Sequence, residues 1–266
     1  MIHLLHFEEE ETQLEGLLLP WLDSQKSWRS AAYFQRQFSR AGASSGPAAV
    51  RRRQSAGAWA LLEQVLLQER GLKLADLEIG ETSHRKPVCL SDPGLCFSLS
   101  HCEGLVACVV ADGPVGVDCE SPRAFLRGVA ERVCSPAELE EILAAADSEE
   151  AFCRHWTLKE SLAKAVGTGL SLSLRRAAFF LADDTIRLEL ERPLRPEEEA
   201  LLRCWPHPAF ALHRFSPGYW VAGCALVGGS EAVQPASRVL DGIVLWTLKD
   251  LAKGLRHGPP PYRGIF

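Results

Sequence analysis

The stretch that decides the fold is Val115-Gly116-Val117-Asp118-Cys119-Glu120, a short apolar run that ends on two carboxylates. Asp112-Gly113-Pro114 breaks the chain before it, so we predict a strand at 115–120, paired in a hairpin with the apolar run at 105–111. Side chains two positions apart leave one face of a strand, which places Asp118 and Glu120 together. Their like charges repel, and magnesium, a hard cation, would remove the repulsion. A lone Asp-x-Glu is more often a solvated strand end, so a metal site needs a third ligand.

Around this strand, the hydrophobic pattern predicts a mixture of helices and further strands. Helices with a capping residue or a terminating glycine are predicted at about 48–70, from 136 onward and at 149–166. Strands are predicted at 1–7, 96–100, 179–181, 186–190, 210–215 and 220–227. Strands and helices do not alternate regularly, which favours the α+β class over a doubly wound parallel sheet.

The charge balance limits the partners of this protein. The 266 residues include 29 Lys+Arg and 34 Asp+Glu, a formal net charge of −5. This mild acidity argues against a nucleic-acid partner, because binding phosphates along a duplex needs an excess of cations. The charges are uneven, however: the segment from Ser24 to Leu62 has no acidic residue and carries Lys26, Arg29, Arg36, Arg40, Arg51, Arg52 and Arg53. A one-sided basic segment on an acidic protein indicates a local anion site.

The cysteines and the apolar runs point to the cytoplasm. Nine cysteines is an odd number, and no two of them form a Cys-x-x-Cys pair. This scatter is typical of buried thiols in a reducing compartment. The first residues lack the cationic start of a signal peptide, and no apolar run is long enough to span a membrane. We therefore expect a cytoplasmic protein without a membrane partner.

A candidate third ligand lies in the predicted helix at 149–166. Glu160 and Lys164 are four residues apart and share one helix face. Glu before Lys at this spacing is also an ordinary surface pair, worth about 0.2–0.5 kcal/mol. Trp156 and the glycines of Gly167-Thr168-Gly169 favour the functional interpretation, since glycines let the backbone approach another group closely. Glu160 is therefore a candidate ligand beside the two strand acids.

Two smaller motifs upstream of the acids suit an anion. Lys86 precedes Pro87, which holds the lysine extended, and a protonated His101 can contact a phosphate. Each motif is also explained as an ordinary surface or structural residue. Ser100-His101 is not a serine hydrolase site, because no Gly-x-Ser-x-Gly elbow occurs.

The order and spacing of these motifs are more informative than any one of them. Arg85-Lys86-Pro87, Phe97 to His101, Gly116 to Glu120, and Trp156 to Ser161 with Lys164 follow one another as in the 4′-phosphopantetheinyl transferases. The chain resembles their large monomeric class, typified by the surfactin-synthetase activator, over roughly residues 50–227. The resemblance implies transfer of the phosphopantetheine arm of coenzyme A to a serine of an apo acyl or peptidyl carrier protein. Adenosine 3′,5′-bisphosphate would leave, as in the reaction of holo-[acyl-carrier-protein] synthases.

The resemblance also implies an architecture. It is an α+β fold of two similar halves, related by a pseudo-twofold axis, with the active site in the cleft between them. The halves would be residues 1–113, on the nucleotide side, and 114–227, which carry the acids. Residues 228–266 would form an extension of unknown role, beginning with a linker at 228–237. A chain with both halves has no need to dimerise, so we expect a monomer.

The family's site residues carry over one by one. Asp118, Glu120 and Glu160 resemble its magnesium ligands, for which manganese can substitute. Glu160 is also the position proposed as general base for the carrier serine, and Lys164 resembles the contact to the pyrophosphate of coenzyme A. The residues that resemble those holding the nucleotide and its 3′-phosphate are Lys86, Pro87, Ser100 and His101.

Two departures from the family pattern concern the anion site. Relatives often carry a cation after the glycine of the first long helix, whereas here Gly57 is followed by Ala58. We expect Arg51, Arg52 or Arg53 to replace that cation, with Arg53 as the first choice. Arg85 stands where many relatives have glycine before Lys-Pro.

Two other functions are alternatives. A magnesium-dependent phosphohydrolase that cleaves a nucleotide or the pyrophosphate of coenzyme A would share the acids. A non-catalytic binding module for coenzyme A or a carrier would tolerate loss of Glu160, whose presence argues against it. Under the transferase hypothesis, Arg51 to Arg53 serve the nucleotide, and the cations from Lys26 to Arg40 face the carrier, since carriers of this family are generally acidic.

Overall fold

The computed structural model describes residues 1–7, 18, 20–38, 46–121, 126–167, 174–182, 185–193, 196, 199, 200, 203, 207–215, 218–227, 240 and 242–257. The chain divides into two compact units. Unit 1 comprises Met1–Asp112 and Gly242–Phe266, and unit 2 comprises Gly113–Asp241. Each unit contains both helices and sheet, which confirms the α+β class. Within the described ranges, no helix is both long and apolar enough to cross a bilayer.

Strands β1 to β11 are, in chain order, Ile2–His6, Ile79–Glu81, Pro87–Cys89, Cys96–Cys102, Leu105–Ala111, Val115–Glu120, Ala177–Ala182, Thr185–Leu190, His207–Phe215, Tyr219–Val227 and Ile243–Trp246. Helices α1 to α6 are Ala31–Phe38, Pro47–Arg70, Arg127–Val133, Pro136–Ala144, Ser148–Val166 and Leu248–His257.

Unit 1 is a four-stranded sheet covered by the long helix α2. The strand order is β11-β1-β5-β4, with β2 and β3 forming a separate antiparallel pair. Helix α2 packs on β4 and β5, and the ring of Trp59 meets that of Phe97 at 5.6 Å between centroids. The helix ends where it was predicted, at Gly71, whose φ of 65° a glycine adopts without strain.

The C-terminal segment belongs to unit 1, which corrects the separate extension predicted at 228–266. Strand β11 pairs in parallel with β1, and Leu248 and Leu251 are buried in the core of unit 1. The indole of Trp246 donates to Nδ1 of His3 at 3.1 Å, and Nε2 of His3 lies 2.7 Å from a carboxylate oxygen of Glu69. Strands β1 and β11 and helix α2 are thus linked by one chain of polar contacts. The predicted linker at 228–237 lies outside the described residues.

Unit 2 is a three-stranded antiparallel sheet, ordered β6-β10-β9, with helix α5 packed on β6 and β10. The predicted hairpin between β5 and β6 is wrong. Strand β5 pairs with β1 and β4 in unit 1, whereas β6 pairs with β10, far along the chain. Gly113 begins a new unit instead of a tight hairpin turn. Strands β7 and β8 form a second antiparallel pair in unit 2.

The helix ends of unit 2 confirm the sequence prediction. Ser135 and Glu138 form a complete capping box at the start of α4, with Pro136 as its first residue. Helix α5 ends at Gly167, whose φ is 81°. Residues 168–170 of the double-glycine motif lie outside the described residues.

Candidate active site

Gly116 brings helix α5 directly onto strand β6. A Cβ atom at this position would lie 2.0 Å from the carbonyl oxygen of Ser161 and 2.5 Å from the amide nitrogen of Ala165. Only a residue without a side chain allows this approach of backbone to backbone. Gly116 and Asp118 leave the same face of β6, so the close approach sets the helix beside the acids.

Lys164 forms an ion pair with Asp118 in strand β6. Its ammonium lies 2.7 Å from Oδ1 of Asp118, whose side chain is only 6% exposed. Burial works to lower the pKa of Lys164, but the neighbouring carboxylate outweighs it and the pKa is raised. The simple surface pair of Glu160 with Lys164 is therefore replaced by a bridge from helix to strand. A solvated strand end does not describe Asp118 either, because it is buried.

Glu120 and Glu160 complete the acidic group. The indole of Trp156 donates a hydrogen bond of 3.1 Å to Oε1 of Glu120. Burial first, and then the negative charges of Asp118 and Glu120, raise the pKa of Glu160 to about 7, although Lys164 partly offsets them. The negative charges of Asp118 and Glu120 thus act on the carboxyl group of Glu160.

The acids fit magnesium by chemistry, although they are not arranged as a ready-made site. Across the described ranges, no three His, Cys, Asp or Glu side chains are arranged to hold a metal ion. The donor set is nonetheless all carboxylate oxygen, and Oε1 of Glu160 is buried with no hydrogen-bond partner. The ligand roles of Asp118, Glu120 and Glu160 remain a prediction.

Lys159, next to Glu160, has a role that sequence reasoning missed. Its side chain is fully buried, and its ammonium lies 2.8 Å from Glu138 and 2.8 Å from the carbonyl of Leu174. Glu138 also accepts from the amides of Ser135 and Phe179. Burial works to raise the pKa of Glu138, but the nearby ring of His155, 3.4 Å away, and the charge of Lys159 outweigh it and lower the pKa to about 2. The one sequence signal for this contact was Glu138 of the capping box, which both caps helix α4 and pairs with Lys159.

We expect Lys159→Met to lower the free energy of unfolding by about 3–5 kcal/mol, because it leaves the carboxylate of Glu138 buried without its counter-charge. A folded-state pKa below the unfolded value means that Glu138 stabilises the fold above about pH 4.5 and stops doing so as the pH falls towards about 2. Urea unfolding between pH 2 and pH 7 measures both effects. The double variant Lys159→Met with Glu138→Gln should lose less than the sum of the two single variants; full additivity would contradict the coupling.

An apolar cavity opens beside the acids in unit 2. Its volume is about 240 Å³. Helix α3 contributes Val129, helix α5 contributes Phe152 and Trp156, and the end of β6 contributes Glu120. The hydrogen-bonded pair of Trp156 and Glu120 thus forms part of the wall of this cavity.

The residues predicted to hold the nucleotide belong to unit 1, whereas the acids belong to unit 2. Lys86 ends the turn between β2 and β3, and Pro87 begins β3. Ser100 and His101 lie in β4, where Ser100 is buried. His101 is four residues from Phe97 and leaves the face of β4 that α2 covers, whereas Ser100 leaves the opposite face. Arg53, in the first turns of α2, is half-buried.

In the structure, acidic side chains from outside the segment 24–62 lie close to two of its cations. Lys26 lies 2.7 Å from Asp23, and Arg29 lies 3.2 Å from Glu78. The predicted cationic face from Lys26 to Arg40 is therefore partly neutralised, and Arg40 itself lies outside the described residues. Arg36 lies in helix α1.

Comparison with known proteins shows what the chain is similar to. The family model of the 4′-phosphopantetheinyl transferase superfamily matches residues 114–218, the part that carries the acids. A 4′-phosphopantetheinyl transferase of Bacillus subtilis is 30% identical over 56% of this chain and 72% of its own length. The transferase Sfp of Bacillus subtilis strain 168 is 29% identical over 62% of this chain and 70% of its own length. A solved holo-[acyl-carrier-protein] synthase from Neisseria meningitidis, 20% identical, aligns with a TM-score of 0.36 over 42% of this chain and 96% of that one.

Relatives that are 30% and 31% identical, and of which this chain covers 72% and 70%, define the class of protein as a phosphopantetheinyl transferase. Within that class, the chain belongs to the 4′-phosphopantetheinyl transferase family and resembles its Sfp type. The resemblance seen in the sequence is confirmed. The relatives give no support to the phosphohydrolase alternative.

Proposed function

We propose that this protein transfers 4′-phosphopantetheine from coenzyme A to a serine hydroxyl of an apo carrier protein. The observation that carries the proposal is the group of three interacting carboxylates and Lys164 on β6 and α5, in a chain of this family. The products are the holo-carrier and adenosine 3′,5′-bisphosphate.

The reaction needs a base and a means to hold growing negative charge. The serine oxygen forms a bond to the β-phosphorus of coenzyme A, and the bond from that phosphorus to the bridging oxygen breaks. Glu160, with a pKa of about 7, accepts the serine proton directly or through water. Lys164 faces the pyrophosphate and stabilises charge on its oxygens.

We further propose magnesium, or manganese in its place, on Asp118, Glu120 and Glu160. The bound cation would supply charge neutralisation for the pyrophosphate oxygens. Trp156 would hold Glu120 in orientation through its indole hydrogen bond. Lys86, Pro87, Ser100, His101 and Arg53 would hold the nucleotide.

The proposal also covers the carrier protein, the oligomeric state and the cellular compartment. We expect an acidic acyl or peptidyl carrier protein, so that the protein acts as a holo-[acyl-carrier-protein] synthase in the broad sense, as a monomer. Its sequence relatives are of the Sfp type and not of the narrower synthase type. The eight described cysteines are free thiols, seven of them buried, which supports work in the reducing cytoplasm.

Mass spectrometry of the carrier tests the function. The protein is incubated with an apo carrier, coenzyme A and magnesium, and then with a chelator in place of the metal. We expect a mass gain on the carrier, equimolar adenosine 3′,5′-bisphosphate, and loss of both with the chelator. Release of the bisphosphate without a mass gain on any carrier would instead favour the hydrolase.

A further inference from the structure

Helix α5 presents two sets of polar side chains that are one residue apart along the chain. Trp156, Glu160 and Lys164 follow one another at four-residue spacing and face the acids of β6. His155 and Lys159 each precede a member of that set. Because successive residues of an α-helix are about 100° apart around its axis, these two side chains meet helix α4 instead. We call His155 and Lys159 the anchor face of α5.

The anchor face holds a buried histidine between two carboxylates. His155 is fully buried, with its Nδ1 atom 3.4 Å from Oε1 of Glu138 and its Nε2 atom 3.4 Å from Oε1 of Glu141. Both glutamates lie on helix α4. Among the residues that the structure describes, neither ring nitrogen has a hydrogen-bond partner. Since buried polar groups are normally satisfied, this histidine requires an explanation.

The charges around His155 balance when its ring carries a proton on both nitrogens. The charged groups that face this cluster in the described ranges are Glu138 and Glu141 from α4 and Lys159 from α5; strand β7 contributes no titratable side chain. Burial and then Glu138 raise the pKa of the nearby Cys134 to about 12, so its thiol is neutral. Two carboxylates and one ammonium leave one negative charge, which a protonated His155 cancels.

The hydrogen-bonding capacity of the ring leads to the same conclusion. A neutral imidazole has one N–H group and one lone pair, so one of its nitrogens would turn a lone pair towards a carboxylate oxygen. A protonated ring has a donor on each nitrogen, and contacts between two charged groups are stronger than neutral hydrogen bonds. A cationic His155 therefore ties α5 to α4 at two oxygens, one turn before the ion pair of Lys159 with Glu138.

We propose that His155 is a positioning residue: as an imidazolium held by two carboxylates of α4, it fixes the rotation of helix α5 and thereby the place of Glu160. The inference rests on the proposed function, which gives Glu160 its role in the transfer. A rotation of the helix about its axis moves Trp156 and Glu160 together, because each stands next to a residue of the anchor face. A small displacement of a reacting group is enough to slow a reaction.

The charge of His155 is tested without any transfer, by nitrogen NMR at pH 7 of protein with isotope-labelled histidine. The signal of His155 is the one missing from His155→Gln. We expect both of its ring nitrogens to carry protons in the wild-type protein. Glu141→Gln, at a half-exposed position, removes one of the two carboxylates and should shift the ring towards its neutral form. A neutral ring in the wild-type protein would overturn the proposal.

Kinetics and the indole N–H signal of Trp156 test the positioning. In His155→Gln we expect that signal to move and kcat to fall about tenfold, with a smaller change in the KM for coenzyme A. Glu141→Gln should act in the same direction, and it carries both tests if His155→Gln does not fold.

The matched control is His207→Gln, which replaces an exposed histidine of the same unit and should change neither quantity. An unmoved Trp156 signal together with wild-type kcat in His155→Gln and Glu141→Gln would contradict the positioning role. If the wild-type protein modifies no carrier, the proposed function fails, while the histidine and indole signals still decide on His155.

Discussion

Glu160→Gln is expected to lower kcat about a thousandfold while leaving the free energy of unfolding unchanged or higher. Glutamine has the shape of glutamate but neither takes the serine proton nor ligates magnesium well, and a positioned base contributes about 10²–10⁴ in rate. Stability should not fall, because burial and the charges of Asp118 and Glu120 already disfavour the Glu160 carboxylate. Initial rates of carrier modification and urea unfolding of the same samples measure the two quantities.

Glu140→Gln is the matched control for this variant, because Glu140 is an exposed acid on helix α4 outside the site. It should retain full activity. A Glu160→Gln protein with more than a tenth of the wild-type kcat would exclude Glu160 from the reaction. A large loss of stability would show instead that Glu160 serves the fold.

Gly116→Ala is expected to lower kcat/KM at least a hundredfold and to destabilise unit 2. The added methyl group would meet the backbone of Ser161 at 2.0 Å and that of Ala165 at 2.5 Å, so helix α5 has to move away from β6. The same helix carries Glu160 and Lys164, and a misplacement of about 1 Å costs on the order of 10² in rate. Forcing extra volume into a packed contact costs a further ~1–3 kcal/mol of stability. Kinetic assays and denaturant titration measure the two losses.

The chain offers a matched glycine for comparison. Gly128 lies inside helix α3, and a Cβ atom there would meet nothing within 4 Å. Gly128→Ala should therefore be neutral or stabilise by up to about 1 kcal/mol. If Gly116→Ala behaves like Gly128→Ala, the close contact of β6 with α5 does not position the site.

The locally determined parts of the fold were predictable. The end of α2 at Gly71, the capping box of Ser135 and Glu138, and the end of α5 at Gly167 each depend on residues within one or two helical turns. The candidate acids and Lys164 were found for a related reason, since their spacing along one strand and one helix fixes the faces on which they lie.

The contacts between distant segments were not predictable. The sequence predicts that β6 pairs with β5, because the two are neighbours along the chain. Its actual partner is β10, which begins only at Tyr219. The pairing of β11 with β1 and the ion pair of Lys159 with Glu138 were missed for the same reason, because the partners are far apart along the chain. Lys159 stands beside Glu160 in the motif, and nothing in its local pattern reveals that it is fully buried.

By itself, the sequence determined the α+β class, the family and the short list of acids and cations, because these depend on residue type and on spacing within single elements. Only the tertiary structure decided which charges meet. It paired Arg29 with Glu78, joined Lys164 to Asp118 and buried Lys159 against Glu138. The reason is physical: the energy of a charge depends on its distance to other charges in space and on its burial, and neither quantity follows from position along the chain.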